Sequence, residues 1–102
     1  MSPRPTKLAE PLLVIRELVA QGRFDFVAHA LERLQEREVT IPEVVYVLKH
    51  GFHERRKDQF RENFGEWVYA IRGKTADTRT LRIAVSVSAD GALVITVIDL
   101  DK

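Results

Sequence analysis

The sequence predicts an α+β fold in which three N-terminal helices pack on a three- to four-stranded antiparallel sheet. In the first half of the chain, apolar residues recur at intervals of three and four, which is the period of an amphipathic helix. In the second half they alternate with polar residues, which is the period of a strand with one buried face. Helices followed by consecutive strands are typical of α+β domains.

The composition is that of one globular domain. The chain has 102 residues, of which 45% are hydrophobic and 30% are charged. It has no cysteine, no recognisable secretion signal at its start, and no apolar run near the ~20 residues of a membrane span. We therefore expect a single cytoplasmic domain over residues 1–102. Residues 1–6 should form a flexible arm, because Pro3 and Pro5 oppose regular structure.

The predicted helices span residues 7–21, 26–38 and 41–50. Asp25 is the expected N-cap of the second helix. Thr40 and Glu43 have the spacing of a capping box for the third, which Gly51 closes. A glycine also follows the first helix, at the position of a C-cap.

The predicted strands span residues 65–72, 81–88 and 93–100, with the charged stretch 52–59 as a fourth strand at the sheet edge. Asp90 and Gly91 form the expected hairpin turn, and residues 73–80 a mobile loop. The alternation assigns two faces to the middle strand, namely Leu81, Ile83, Val85 and Val87 on one side, and Arg82, Ala84, Ser86 and Ser88 on the other.

His29, Arg33 and Arg37 follow one another four residues apart on the second helix. At about 100° per residue, Arg37 lies inside the apolar stripe, while Arg33 and His29 lie beside it. An arginine directed at the core is uncommon unless an anion meets it. The face therefore indicates an anion-binding site. The alternative is that Arg37 reaches water along its stem or pairs with an acid, for which the candidates are Glu38, Glu43 and Asp99.

The polar side of the sheet carries a second group of candidates. These are Arg72, Arg82, Ser86 and Thr96, whose guanidinium and hydroxyl groups suit a phosphate backbone or a base edge. An ordinary solvent-facing sheet surface fits the same residues. The sequence does not establish whether this face meets the helix face.

A second basic cluster comprises residues 55–57 and Arg61. Acids alternate with these cations, which favours a solvated edge strand over a phosphate-binding segment. With no cysteine and no helical His-Glu-x-x-His pattern, the sequence predicts no metal site and no cofactor.

Residues 26–37, 40–44 and 48–51 together resemble a bacterial domain family of unknown function. Its pattern is a His-Ala-x-x-Arg-x-x-x-Arg helix, a short capped helix ending in glycine, and a terminal strand, here residues 94–97. The family is similar to the toxin ribonucleases of the barnase–EndoU–colicin–RelE architecture. Its members often sit beside a YgiT-type zinc-finger antitoxin, much as MqsR toxins do.

The resemblance implies a metal-independent endoribonuclease, the toxin of a type II toxin–antitoxin pair, that cleaves mRNA by attack of a 2′-hydroxyl. The motif implies a catalytic group of His29, Arg33 and Arg37, with His29 as acid or base and the arginines on the phosphate. The expected RNA-binding residues are Arg72, Arg82, Tyr69, Thr96 and Ser86, and Tyr69 would stack a base if it faces the cleft. The expected partners are RNA and a cognate antitoxin, and self-association as a homodimer is left open.

Two other functions fit the same residues. The first is a non-catalytic nucleic-acid-binding module, although the valine-rich third helix offers few side chains to read a groove. The second is a protein-interaction adaptor that grips an acidic partner with the arginine face.

Overall fold

The computed structural model describes residues 4–101. It confirms an α+β fold with three helices on a sheet, and the sheet is larger than predicted. The helices are α1 (Pro11–Ala20), α2 (Ala28–Arg37) and α3 (Ile41–His50), and the strands are β1 (Phe24–Phe26), β2 (Phe52–His53), β3 (Gln59–Arg61), β4 (Glu66–Lys74), β5 (Thr80–Ser88) and β6 (Gly91–Asp99), with a short 3-10 helix at Arg55–Lys57.

Helix α1 begins four residues later than predicted, at Pro11, whose fixed φ suits a first helical turn. The residues before it lie against the sheet instead. The Leu8 N–H donates to the Tyr69 hydroxyl at 2.9 Å, and Pro5 O accepts from the Trp67 indole at 2.8 Å. The described part of the predicted arm, residues 4–6, is therefore in contact with β4, while residues 1–3 lie outside the described residues.

Helix α2 also begins later than predicted, and Asp25 is not its N-cap. Val27 occupies that position with extended backbone angles, and Asp25 lies in β1. A strand of three residues is too short to reveal a period of two, so the sequence pattern assigned Phe26 to the helix. Pairing with β6 overrides the local capping signal.

Helix α3 has the predicted bounds and the predicted cap. The Thr40 hydroxyl accepts from the Glu43 N–H, and the Glu43 carboxylate accepts from the Thr40 N–H. At the other end, a Cβ on Gly51 would lie 2.5 Å from Arg72 O. The glycine is therefore required by the close approach of α3 to β4.

The sheet is mixed and has six strands, in the order β1-β6-β5-β4-β2, with β3 also paired to β4. Strand β1 runs parallel to β6, and the other pairs are antiparallel. The predicted edge strand at 52–59 is broken into β2, the 3-10 helix and the start of β3. The break brings Asp58 inward, where its buried carboxylate accepts from Ala70 N and contacts Lys7 Nζ at 2.6 Å.

Both hairpin turns are shorter than predicted. Ala89 and Asp90 make the second turn, and Gly91 is already the first residue of β6, with φ of 133°. Strands β4 and β5 extend into the predicted loop and leave only residues 75–79 between them. This link is a bonded turn and not an open loop, since Thr75 is 4% exposed and its backbone N–H donates to Arg79 O.

The alternation of β5 gives the predicted faces. Leu81, Ile83 and Val85 are buried beneath the helices, and Val87 packs partly against the same core. Helices α1 and α3 cover this side of the sheet. We call the opposite side of the sheet the outer face. In β5 it carries Arg82, Ala84, Ser86 and Ser88. Within residues 4–101, no helix is long and apolar enough to cross a membrane.

Burial predicts which leucines hold the helices to the sheet. Leu48 of α3 is fully buried, whereas Leu13 of α1 is 60% exposed. Leu48→Ala should lower the free energy of unfolding by about 2–5 kcal/mol, through lost transfer energy and the cavity left behind. Leu13→Ala, a matched control, should change it by about 0.5 kcal/mol or less. Urea unfolding measures both, and equal losses would contradict the packing described.

Candidate anion-binding site

Helix α2 follows β1 in the chain and lies along the same edge of β6, past the end of β1. At its start, Val27 N donates to Val94 O at 3.0 Å and so extends the β1–β6 pairing by one bond. At its end, Arg79 donates to the carbonyl oxygens of Arg37 and Glu38, both at 2.9 Å. Arg79 precedes β5 and sits at the end of β6. Helix α2 therefore runs in the same direction as β6.

Arg79 is a structural residue that the sequence analysis missed. Its guanidinium pairs with Glu43 at 3.1 Å and lies 3.8 Å from Asp99, and hydrogen bonding to Glu43 raises the pKa of Arg79. Glu43 and Asp99 were two of the acids expected to pair with Arg37. Among residues 4–101, Arg37 forms no ion pair, and its buried Nε has no hydrogen-bond partner.

The side of β6 on which α2 lies follows from the chirality of the chain. Ala92 and Val94 direct their backbone groups toward β1, bonding Arg23 O and Val27 N, and both are buried under the helices. Consider a strand that runs upward in front of a viewer. A residue whose side chain points toward the viewer directs its backbone N–H and C=O groups to the viewer's right, because natural residues have L chirality. Seen from the helices, with β6 running upward, β1 and α2 therefore lie to the right of β6.

The handedness of α2 then gives the direction of its charged side chains. Ala30 and Leu34 are buried in the core. Because the rest of the sheet lies to the left of β6, we take left as the buried direction of α2. Successive residues of a right-handed helix are turned by about 100°. Measured from the buried direction, the side chains are rotated away from the viewer by roughly 40° for Arg37, roughly 80° for Arg33 and roughly 120° for His29. We infer that Arg37 and Arg33 face the outer side of the sheet and that His29 lies further round.

The exposure of the three side chains agrees with this direction. His29 is exposed, and Arg33 and Arg37 are half-buried. Arg33 is partly neutralised, because its guanidinium pairs with Glu36 at 2.5 Å one turn along the helix. The two arginines thus flank the outer face at the edge formed by α2.

The outer face contains a cleft of about 160 Å³. We call it the outer cleft, and its lining residues are Lys57, Gln59, Arg61, Val68, Tyr69, Ala70, Arg82, Ala84, Thr96 and Ile98. Two of the predicted RNA-binding residues, Arg82 and Thr96, are brought together here. Three cations line the cleft together with polar Gln59 and Thr96 and with apolar residues, an arrangement suited to phosphate groups.

Lys57 and Arg61 belong to the basic cluster that was interpreted as a solvated edge strand. That interpretation was incomplete, since both residues line the outer cleft. The Nε atom of Arg61 is buried there and has no hydrogen-bond partner. The signal was present in the sequence, but only the break in the strand before β3 places this segment at the β4 edge, where Lys57 and Arg61 line the same cleft as residues of β5 and β6.

Glu54 links Arg82 to Arg72 at the border of the cleft. Its carboxylate accepts from Arg82 Nε at 2.6 Å and from Arg72 at 3.3 Å. The hydrogen bond from Arg82 is the main reason that the pKa of Glu54 is lowered, against an opposing effect of burial. The same hydrogen bond raises the pKa of Arg82. Arg72 therefore lies beside the cleft through this shared carboxylate.

The other two predicted RNA-binding residues have different surroundings. Tyr69 borders the cleft but is only 4% exposed, and its ring packs edge-on against His53. The condition for base stacking is not met, because β4 turns the Tyr69 ring toward the helices and into the core. Ser86 is on the outer face as predicted, but it is 5% exposed and donates to Glu66 at 2.7 Å.

The described residues form no cluster of metal ligands. Within residues 4–101, no three His, Cys, Asp or Glu side chains come together as a group able to hold a metal ion. The candidate site consists of arginines, a lysine, hydroxyl groups and one exposed histidine.

Comparison with known proteins identifies the family but assigns no activity. Residues 26–99 match the family described as a domain of unknown function (DUF4258), and the chain belongs to this family. No curated protein matches the chain. The matched range covers α2, the outer cleft and every strand except the first two residues of β1.

The lowered pKa of Glu54 predicts a pH-dependent contribution to stability. A carboxylate with a depressed pKa stabilises the fold above its ordinary pKa of 4.5, and this contribution is lost as the pH falls below that value. The difference in unfolding free energy between wild type and Glu54→Gln should therefore be largest near neutral pH and shrink in acid. Urea unfolding over a pH series measures it.

Glu62→Gln provides the control for this series, because the Glu62 side chain is 80% exposed. It removes the same charge from the neighbouring segment with little change in contacts. A Glu54→Gln difference that stayed constant across the acid range would contradict the ion pairing described.

Proposed function

We propose that this protein binds single-stranded RNA along the outer face of its sheet and cleaves it by attack of a 2′-hydroxyl, without a metal ion. The observation that carries the proposal is that Lys57, Arg61 and Arg82 line one cleft on the outer face. The helix geometry inferred above turns the arginine side of α2 toward the same side of the sheet. An RNA strand that crosses this face would meet positive charge at the α2 border and in the outer cleft, which is the electrostatic requirement for holding a phosphate backbone.

The chemistry follows from the residue types on α2. His29 would take the proton from the 2′-hydroxyl, since imidazole titrates near neutral pH. The 2′-oxygen bonds to phosphorus, the bond to the 5′-oxygen breaks, and the leaving oxygen takes a proton from solvent. Arg33 and Arg37 would stabilise the charge on the phosphoryl oxygens, because the guanidinium group matches two of them at once.

The state of the two arginines supports this role. Among residues 4–101, Arg37 forms no ion pair, and Arg33 pairs with a neighbouring glutamate on the surface of the same helix. An incoming phosphate would pair with the half-buried Arg37 and displace the Arg33–Glu36 pair at small cost, since exposed ion pairs contribute about 0–1 kcal/mol.

The likeness to toxin ribonucleases extends the proposal to a protein partner. A cognate antitoxin, of the YgiT zinc-finger type in that resemblance, would neutralise the enzyme in the cytoplasm. Acidic groups that cover the outer face would be the most direct means, because they would compete with RNA for the same cations.

The second candidate is binding without cleavage. It is favoured by the lining of the outer cleft, which supplies cations and hydroxyl groups but no histidine. In this case the protein would hold RNA through its backbone, and α2 would contribute only positive charge.

Cleavage is tested by incubating RNA with the purified protein in EDTA. The wild type should cleave, and His29→Ala should lower the rate by about 10²–10⁴-fold, the usual contribution of a general base. Arg37→Ala should also reduce cleavage while the protein remains folded by circular dichroism. His50→Ala removes another exposed helical histidine and should keep full activity. Full activity in both His29→Ala and Arg37→Ala would contradict the catalytic role.

Binding is tested separately with a 2′-O-methyl oligonucleotide, which lacks the attacking hydroxyl. Lys57→Ala and Arg61→Ala should each weaken binding of all sequences alike. Each should also reduce the slope of log affinity against log salt by about 0.7, the value for one phosphate of a single strand. Lys49→Ala, on the exposed side of α3, should leave the slope unchanged. Unaltered slopes in all three variants would contradict binding at the outer cleft.

A further inference from the structure

Beside the outer cleft lies a second, smaller cleft that the proposed function has not used. Its volume is about 50 Å³, and Val68 lines both clefts, so the two are adjacent on the outer face. We call it the apolar cleft. Its walls are formed by Val27, Phe64, Leu93 and Ile95.

Phe64 is the most distinctive residue of the apolar cleft. It is 63% exposed, the highest value among the exposed large hydrophobic residues of the described chain. It lies in the tight turn between β3 and β4, where its N–H donates to Arg61 O at 3.1 Å and Gly65 N donates to the same oxygen at 2.8 Å. The aromatic ring is therefore presented to solvent by a hydrogen-bonded turn, and exposing it has a cost that a ligand would recover.

The floor of the apolar cleft contains one hydrogen-bonded polar pair. Ser86 Oγ donates to Glu66 Oε2 at 2.7 Å, and both residues line the cleft. A carboxylate repels phosphate but accepts hydrogen bonds from an exocyclic amino group of a base. Because of Glu66, the apolar cleft favours a base edge, whereas the cationic outer cleft beside it favours phosphate.

We propose that the apolar cleft binds an unpaired nucleobase of the RNA whose backbone occupies the outer cleft. The base stacks on Phe64, and a base with an exocyclic amino group donates to Glu66. The cleft is small, about 50 Å³, so it holds one edge of the base and leaves the stacking to the aromatic ring. This inference rests on the proposed RNA binding and adds a determinant of base preference.

The test compares two 2′-O-methyl oligonucleotides of equal length, one with bases and one abasic, by fluorescence anisotropy with the full chain. Wild type should bind the base-containing strand more tightly. Phe64→Ala should weaken that binding by roughly 5- to 150-fold, the range for loss of one base–aromatic stack, and should leave abasic binding unchanged. Phe64→Tyr should retain wild-type affinity, because its ring stacks equally well.

Tyr46→Ala is the matched control, since it removes a 43%-exposed aromatic ring of α3, on the helix side of the sheet. It should bind both strands like the wild type. The role of Glu66 is tested with 2′-O-methyl oligocytidine and oligouridine, whose bases carry an amino group and a carbonyl oxygen, respectively, at C4 and differ in the proton on N3. Tighter binding of oligocytidine supports the hydrogen bond to Glu66, and equal binding overturns it.

The outcomes separate the two proposals. Binding of the abasic strand with no effect of Phe64→Ala on the base-containing strand overturns the base site and keeps backbone binding. Failure of wild type to bind either strand overturns the proposed function, and the base site with it.

Discussion

The parallel pairing of β1 with β6 is the constraint on which the candidate site depends. Only three residues of β1 pair, yet Val27 continues their hydrogen bonding and α2 starts at the next residue. The helix is thereby held at the edge of the sheet. Had it packed above the sheet beside α1 and α3, the same sequence would direct Arg33 to solvent. Strand pairing thus decides what the charged side of α2 can meet.

Arg79 fixes the other end of α2. Its guanidinium binds the last carbonyl groups of the helix and the nearest carboxylates, Glu43 and Asp99. An arginine in a turn therefore has the structural role that the sequence analysis considered as the alternative for Arg37. One side chain joins the β4–β5 hairpin to the α2–α3 connection, and among residues 4–101 no acid pairs with Arg37.

The outer face is electrostatically divided and not uniformly basic. The lysine and arginines of the outer cleft are balanced in part by Glu54, while Glu66 lies at the floor of the apolar cleft. A net charge of +1 would not indicate nucleic-acid binding by itself. The proposed binding of phosphate and of base edges at different positions on one surface depends on this local separation of positive and negative groups.

The sequence by itself determined the α+β class, the capped helix α3, the two faces of β5 and the anomaly at Arg37. These follow from short-range periods and from capping chemistry, which act between residues close in the chain. The tertiary structure decided the β1 pairing, the inward turn of Tyr69 and the positions of Lys57, Arg61 and Phe64. Each depends on contacts between distant segments, and a three-residue strand or a broken edge strand leaves no periodic signal to read.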